Sequence, residues 1–171
     1  MVRSLYRVRQ FISALTASVR PQEAEIIRRW LTPAGVSLFY QMPHNDQRHS
    51  LNVLYTLQAR GNVSPPLMQA ALLHDVAKSA GIRLWHRVAV VLLSHFQPGW
   101  SAYLASADAG SWRYGFYLYL HHPHIGAMWA EAAGCMPEAV VLIREHQTPS
   151  MEGDSVLAAW HRALRAADEE N

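Results

Sequence analysis

Cysteine is almost missing from this 171-residue chain: Cys135 stands alone. That excludes an internal disulfide framework and a cysteine-based zinc site, and it suits a reducing, cytoplasmic setting. The thiol is expected as a small buried apolar group. A charge of one sign is missing too, since 15 Lys and Arg face 13 Asp and Glu for a formal net charge of +2. The basic residues are scattered, so nothing marks nucleic acid as the main partner. The longest charge-free apolar run, Val88 to Leu93, falls far short of the roughly 20 residues that a membrane-spanning helix needs. No alternating run supports a strand, and neither an internal repeat nor a low-complexity tract is present.

What is present is helical periodicity. Half of the residues are hydrophobic, enough for one domain with a sizeable core. Breaks fall at Pro, Gly and Asn or Ser clusters. Pro21 opens a helix to about Leu31, Pro33 opens a short one, and Asn45-Asp46 caps another running to about Ala59, closed by Gly61-Asn62. Ser64-Pro65 starts the helix carrying "MQAALLHDVAK", limited by Gly81, and further helices are expected at 83–95, 99–107, 122–134, 137–147 and 154–168. The expected fold is all-α, a bundle of seven to nine helices in a single domain over 1–171. The basic N-terminal segment places Val8, Phe11, Ile12, Leu15 and Val19 on one stripe, which reads as a helix docked on the domain, with surface targeting or a partner groove as the alternative.

Polar residues interrupt these apolar stripes. His49 shares a face with Val53. His74 follows Leu67, Ala70 and Ala71 at helical spacing, and Lys78 continues the series. His122 leads Ile125, Gly126, Trp129 and Ala133, while His146 ends the series Ala139, Leu142, Ile143. Asp168 ends Leu157, Trp160, His161, Leu164. An unpaired buried polar group costs on the order of 1–3 kcal/mol, and a carboxylate more. For one histidine a hydrogen-bonded core position suffices. For several together a divalent cation is the economical partner, because imidazole nitrogen and carboxylate oxygen are its natural donors.

With those residues in view, the chain resembles the HD-domain superfamily of metal-dependent phosphohydrolases, named after a His-Asp doublet. "DQRHSLNV" supplies the leading His49, "LLHDVAK" the doublet His74-Asp75, and "LRAADEEN" the distant Asp168. "HPHIGA" from His122 and "IREHQ" with His146 supply the two intervening histidines of dinuclear members. The resemblance spans about residues 45–168, with 1–44 as N-terminal helices packed on that core.

The resemblance implies an HD-type helical bundle in which His49, His74, Asp75 and Asp168 hold one metal and Asp75, His122 and His146 a second. The implied cofactors are one or two divalent transition-metal ions, manganese or iron favoured, with magnesium, cobalt, nickel or zinc as alternatives. Asp75 and Lys78 carry the implied catalytic roles, Lys78 as a phosphate contact or, on a plainer reading, a solvated helix end. The implied reaction is hydrolysis of a nucleotide or other small phosphate ester by metal-activated water. A dinuclear-iron oxygenase and a non-catalytic metal-binding or regulatory module are the alternatives.

Some assignments stay open between neighbours. His121 and His124 flank His122, and only the "HPxxGA" context selects the middle one. Asp154 rivals Asp168, although it falls where a helix cap is expected. His44, His86, His95 and His161 read as surface or satisfied core histidines, Asp46 as a helix cap, and Arg48 as capping or orienting. The aromatic stretch with Trp85, Phe96, Trp100, Trp112, Tyr114, Phe116, Tyr117 and Tyr119 reads mainly as core, and Arg83, Arg87 and Arg113 as surface or phosphate contacts. The "GYP" element of cyclic-dinucleotide phosphodiesterases is missing, so the substrate stays open, as does the oligomeric state.

Overall fold

The computed structural model describes residues 19–83, 85–86, 88–90 and 100–171. Eight α-helices and one 3-10 segment make up the described part: α1 (Glu23–Trp30), α2 (Pro33–Gln41), α3 (His44–Ala59), α4 (Pro65–Leu73), the 3-10 segment (Val76–Ala80), α5 (Trp100–Leu104), α6 (Tyr114–Ala132), α7 (Pro137–Glu145) and α8 (Val156–Glu170). No strand occurs among the described residues, so the all-α expectation holds. The basic N-terminal stripe over residues 8–18, together with His95, Phe96 and Arg87, lies outside the described residues.

α4 is the axis of the bundle. Every residue from Pro66 to Leu73 is buried, and a helix that is apolar all round must be enclosed. α1, α2, α3, α7 and α8 all pack on it. Its one polar interior residue is fully used: Gln69 Nε2 donates to the Trp30 carbonyl at 3.0 Å, and its Oε1 accepts from the Met136 N–H at 2.8 Å. One amide thus ties the end of α1 and the start of α7 to the centre. Thr32 does similar work, since its Oγ1 caps α2 by accepting from Gly35 N–H and donates to the Ala133 carbonyl after α6.

Three boundaries differ from expectation in ways that matter for function. The helix carrying the doublet stops at Leu73, and the chain tightens into the 3-10 segment after Asp75, whose φ of −102° and ψ of 6° are not helical. The doublet therefore stands at a helix end rather than along a continuous face, and the stripe does not run through to Lys78. The helix expected from His122 begins at Tyr114 and carries Pro123 inside it; no side-chain cap marks its start, and the proline marks none. α3 begins at His44 after Pro43, so Asp46 lies buried in its first turn, accepting from the Asn45 side chain, and is not the N-cap. The helix expected at 83–95 falls largely outside the described residues, and the others shift by a few residues: α5 is shorter than expected, α7 ends at Glu145, and α8 is capped by Ser155, which accepts from Ala158 N–H.

α1 is fixed to α3 by a partly buried ion pair. Arg48 donates to both carboxylate oxygens of Glu23, at 2.8 and 2.6 Å, and Tyr55 and the Arg20 N–H add further donors. The Arg48 guanidinium is the main cause that holds the Glu23 carboxyl down at about 2. Arg48, the residue before His49, thus ties the helix bearing that histidine to α1.

Candidate metal centre

Five elements deliver six side chains to one spot. His49 comes from α3, His74 and Asp75 from the end of α4, His122 from α6, His146 from the end of α7, and Asp168 from α8. Their donor atoms fall into two nests, one of His49, His74 and Asp168 and one of Asp75, His122 and His146, each with its atoms within 4.8 Å of one another. All six residues singled out from the sequence are brought together.

In the first nest His49 Nε2 lies 2.8 Å from Asp168 Oδ1, and His74 Nε2 lies 3.4 Å from the same oxygen and 3.3 Å from His49 Nε2. In the second, Asp75 Oδ1 lies 3.4 Å from His122 Nε2 and 3.7 Å from His146 Nε2. The other oxygen, Oδ2, lies 3.6 Å from His74 Nε2 and accepts from Lys78 Nζ at 2.6 Å. Asp75 therefore joins the nests, offering one oxygen to each.

The rings are aimed by a common device. His74 Nδ1 lies 3.1 Å from the Ala71 carbonyl, His122 Nδ1 2.7 Å from the Tyr119 carbonyl, and His146 Nδ1 2.7 Å from the Ile143 carbonyl. A carbonyl oxygen only accepts, so each Nδ1 carries the proton, and in the neutral ring Nε2 presents its lone pair to the cluster. Ala71 and Ile143 lie in the last turns of α4 and α7, where a helix leaves its carbonyls without intrahelical partners. Terminating each helix just before its histidine frees the acceptor that orients that histidine.

The second nest carries the clearest mark of a missing partner. Asp75 Oδ1 and His146 Nε2 are buried and make no hydrogen bond. Burial, reinforced by charge on His74, holds the His146 imidazole neutral, with its pKa down at about 3. A nitrogen lone pair then faces a carboxylate oxygen with no proton between them. For Asp75, burial opposes ionisation, but Lys78 and His74 outweigh it and hold the carboxyl well below the usual range. For His74, burial opposes protonation, but Asp75 and Asp168 prevail and raise the imidazole to about 8. Imidazole nitrogens turned toward ionised carboxylates in two nests are the donor set of a cation site, and these His/Asp groups could hold a metal ion.

The nests differ in exposure. His122 is fully buried, and the His146 and Asp75 side chains are only 2% and 6% exposed, whereas His49 and Asp168 are 24% and 32% exposed. Solvent, and anything dissolved in it, reaches the first nest more readily.

The neighbours that competed in the sequence separate cleanly. His121 and His124 are exposed while His122 is buried, and Asp154 is exposed on the approach to α8, away from either nest. His44 is exposed. His161 is a core residue whose Nε2 donates to the Glu145 carbonyl at 2.7 Å. His86 accepts from the Arg83 N–H and donates to the Trp112 carbonyl. Arg113 donates to the Leu104 and Tyr103 carbonyls and so secures α5, and Arg83 is exposed. Lys78 is paired with Asp75 rather than solvated.

Gln147 was missed by the sequence reading. Its side-chain nitrogen lies 3.2 Å from His122 Nε2, and it lines a polar cleft together with His121, His124, Arg144 and Thr148. Its only sequence signal is its place directly after His146. Among the described residues no helix is long and apolar enough to cross a membrane. Comparison with family models, curated proteins and solved structures gave no match to this chain.

Proposed function

We propose that the chain is an HD-type metal-dependent phosphohydrolase acting on a nucleotide or other small phosphate ester. The observation that carries this reading is the division of Asp75, one carboxylate oxygen turned to each nest with Oδ1 otherwise unpartnered. A carboxylate shared in this way suits two divalent cations, His49, His74, Asp75 and Asp168 holding one and Asp75, His122 and His146 the other. Such ions polarise phosphoryl oxygens and make bound water nucleophilic near neutral pH.

The protein's own contribution is placement. The three Nδ1-anchored rings hold their Nε2 atoms in place before any ligand arrives, which lowers the cost of ordering the site. The ester enters on the side of the first nest, where His49 and Asp168 meet solvent. Lys78, within 2.6 Å of Asp75 Oδ2, is positioned to exchange that carboxylate for a substrate phosphate oxygen. No side chain need act as a nucleophile.

The test begins with metal stoichiometry after reconstitution of the parent, His122→Ala and His146→Ala, followed by a phosphate-ester screen with added manganese. Two ions in the parent and one in each variant, with phosphate release abolished by Asp75→Ala, is the expected result. Two ions without phosphate release from any ester would move the reading to a metal-binding regulatory module. An iron-dependent absorption after aerobic purification would move it to oxygen chemistry.

A further inference from the structure

Pro123 lies in the interior of α6, where proline is usually costly: it has no N–H to give and its ring crowds the carbonyl four residues back. That carbonyl belongs to Tyr119. It is the same one that His122 Nδ1 reaches at 2.7 Å. Among the three anchored histidines, His122 alone stands in the middle of a long helix, where no helix end is at hand to release an acceptor. The adjacent proline supplies that release instead, by withholding the N–H that would otherwise bind the Tyr119 carbonyl.

We propose that Pro123 is a positioning residue for the second nest, its missing N–H reserving the Tyr119 carbonyl for the His122 imidazole so that Nε2 faces Asp75. The inference rests on the reading of that nest as a metal site. It explains why a helix-disfavouring residue follows a buried candidate ligand directly in the helix interior, with His122 and Pro123 both buried. The packing around it leaves the ring little alternative, since Gly126 one turn on brings α6 so close that a Cβ there would lie 3.3 Å from Val76 Cγ1.

The experiment uses the full chain as parent, Pro123→Ala, His122→Ala and the double variant. Restoring an N–H at position 123 removes a helix-disfavouring residue, so the metal-free Pro123→Ala protein should melt at a higher temperature. The carbonyl has two lone pairs, so competition weakens the His122 bond rather than abolishing it. In nitrogen-15 NMR of the metal-free proteins, the His122 Nδ1–H should be protected and of one tautomer in the parent, and faster exchanging or mixed in Pro123→Ala. In a manganese titration the variant should lose roughly tenfold in affinity at the second site only, the range expected when a ligand's outer partner is disturbed. In a His122→Ala background Pro123→Ala should change no metal affinity.

An unchanged Nδ1–H signal in Pro123→Ala would overturn the proposal, as would equal weakening of both ions. If the parent binds no manganese, the metal reading fails, and the NMR comparison still decides whether Pro123 sets the His122 ring.

Discussion

The Nε2 atoms of His49 and His74 face each other at 3.3 Å. Because His74 commits its Nδ1–H to Ala71, its Nε2 points at His49 with a lone pair unless a second proton is taken up, and both nitrogens lie against Asp168 Oδ1. His49 Nε2, at 2.8 Å from that oxygen, donates to it, and the crowding of two imidazole nitrogens on one carboxylate oxygen calls for positive charge among them. The raised pKa of His74, about 8, shows a proton meeting that need in part. A divalent cation held by this nest would meet it more fully.

Metal should therefore act as a stabiliser. An ion supplied at about 100 times its Kd adds about 2.7 kcal/mol. For a chain of this length that is a rise of about 5–10 °C in Tm. Chelation followed by stepwise return of manganese, monitored by differential scanning calorimetry, checks this, and a Tm indifferent to both treatments would count against a bound cation.

The choice between Asp168 and Asp154 can be made in the same assay. Asp168 Oδ1 touches both imidazoles of the first nest, whereas Asp154 is exposed before α8. Asp168→Ala should weaken the first ion by about 100-fold while Asp154→Ala leaves both ions unchanged, taking the outer end of the range for disturbed ligand environments as a lower guide. Isothermal titration of the two variants is sufficient.

How much of this could be read in the sequence differs from residue to residue. The helices were legible because apolar stripes and Pro, Gly and Ser punctuation encode local geometry. The cluster was legible because imidazoles and a carboxylate ended those stripes. Pro123 misled the boundary of α6, since proline ordinarily limits a helix and its reward here, the Tyr119–His122 bond, is a side-chain event. The break after Leu73 was equally hidden: apolar spacing runs on smoothly through "LLHDVAK" while the backbone turns. Gln147 has no periodic signature at all, and its place beside His122 arises from the packing of α7 on α6.

Acid should loosen the α1–α3 joint before it affects most of the core. Glu23 has its carboxyl lowered from 4.5 to about 2, chiefly by the Arg48 hydrogen bonds. A depressed carboxyl pKa stabilises the folded state above the unfolded value of 4.5, and the contribution fades as pH falls from there toward 2. Discounting for the partly exposed guanidinium, the pair contributes on the order of 2 kcal/mol at neutral pH. Glu23→Gln should lose about that much at pH 7 and converge with the parent near pH 2. Urea melts across this interval test it, and a constant difference between the two proteins would assign the loss to packing instead.

Gly115 should tolerate no side chain. A Cβ there would lie 2.3 Å from His86 Nε2, inside the bond that His86 makes to the Trp112 carbonyl. The ring cannot retreat easily, being stacked on Trp85 at 3.6 Å between centroids and edge-on to Phe116. Gly115→Ala should cost about 3 kcal/mol, at the upper end for overpacked cores. Chemical denaturation gives the number, and a loss below about 1 kcal/mol would mean that the Trp85–His86 stack yields.

Lys78 offers a test in which stability and metal affinity move in opposite directions. Its ammonium lies 2.6 Å from Asp75 Oδ2, on a side chain 19% exposed, and is the leading favourable influence on the Asp75 charge. Lys78→Met leaves that buried carboxylate without its nearest cation, so the metal-free protein should lose about 3 kcal/mol. The same substitution removes a positive charge competing for Oδ2, so manganese should bind roughly tenfold tighter, equivalent to about 1.4 kcal/mol. On the proposed phosphohydrolase reading, phosphate-ester turnover should nevertheless fall, because that reading assigns Lys78 the contact with the substrate phosphate. Calorimetric melting and manganese titration of one preparation measure both directions, and a variant that loses stability and affinity together would show that Lys78 buttresses the site rather than standing in for its cation.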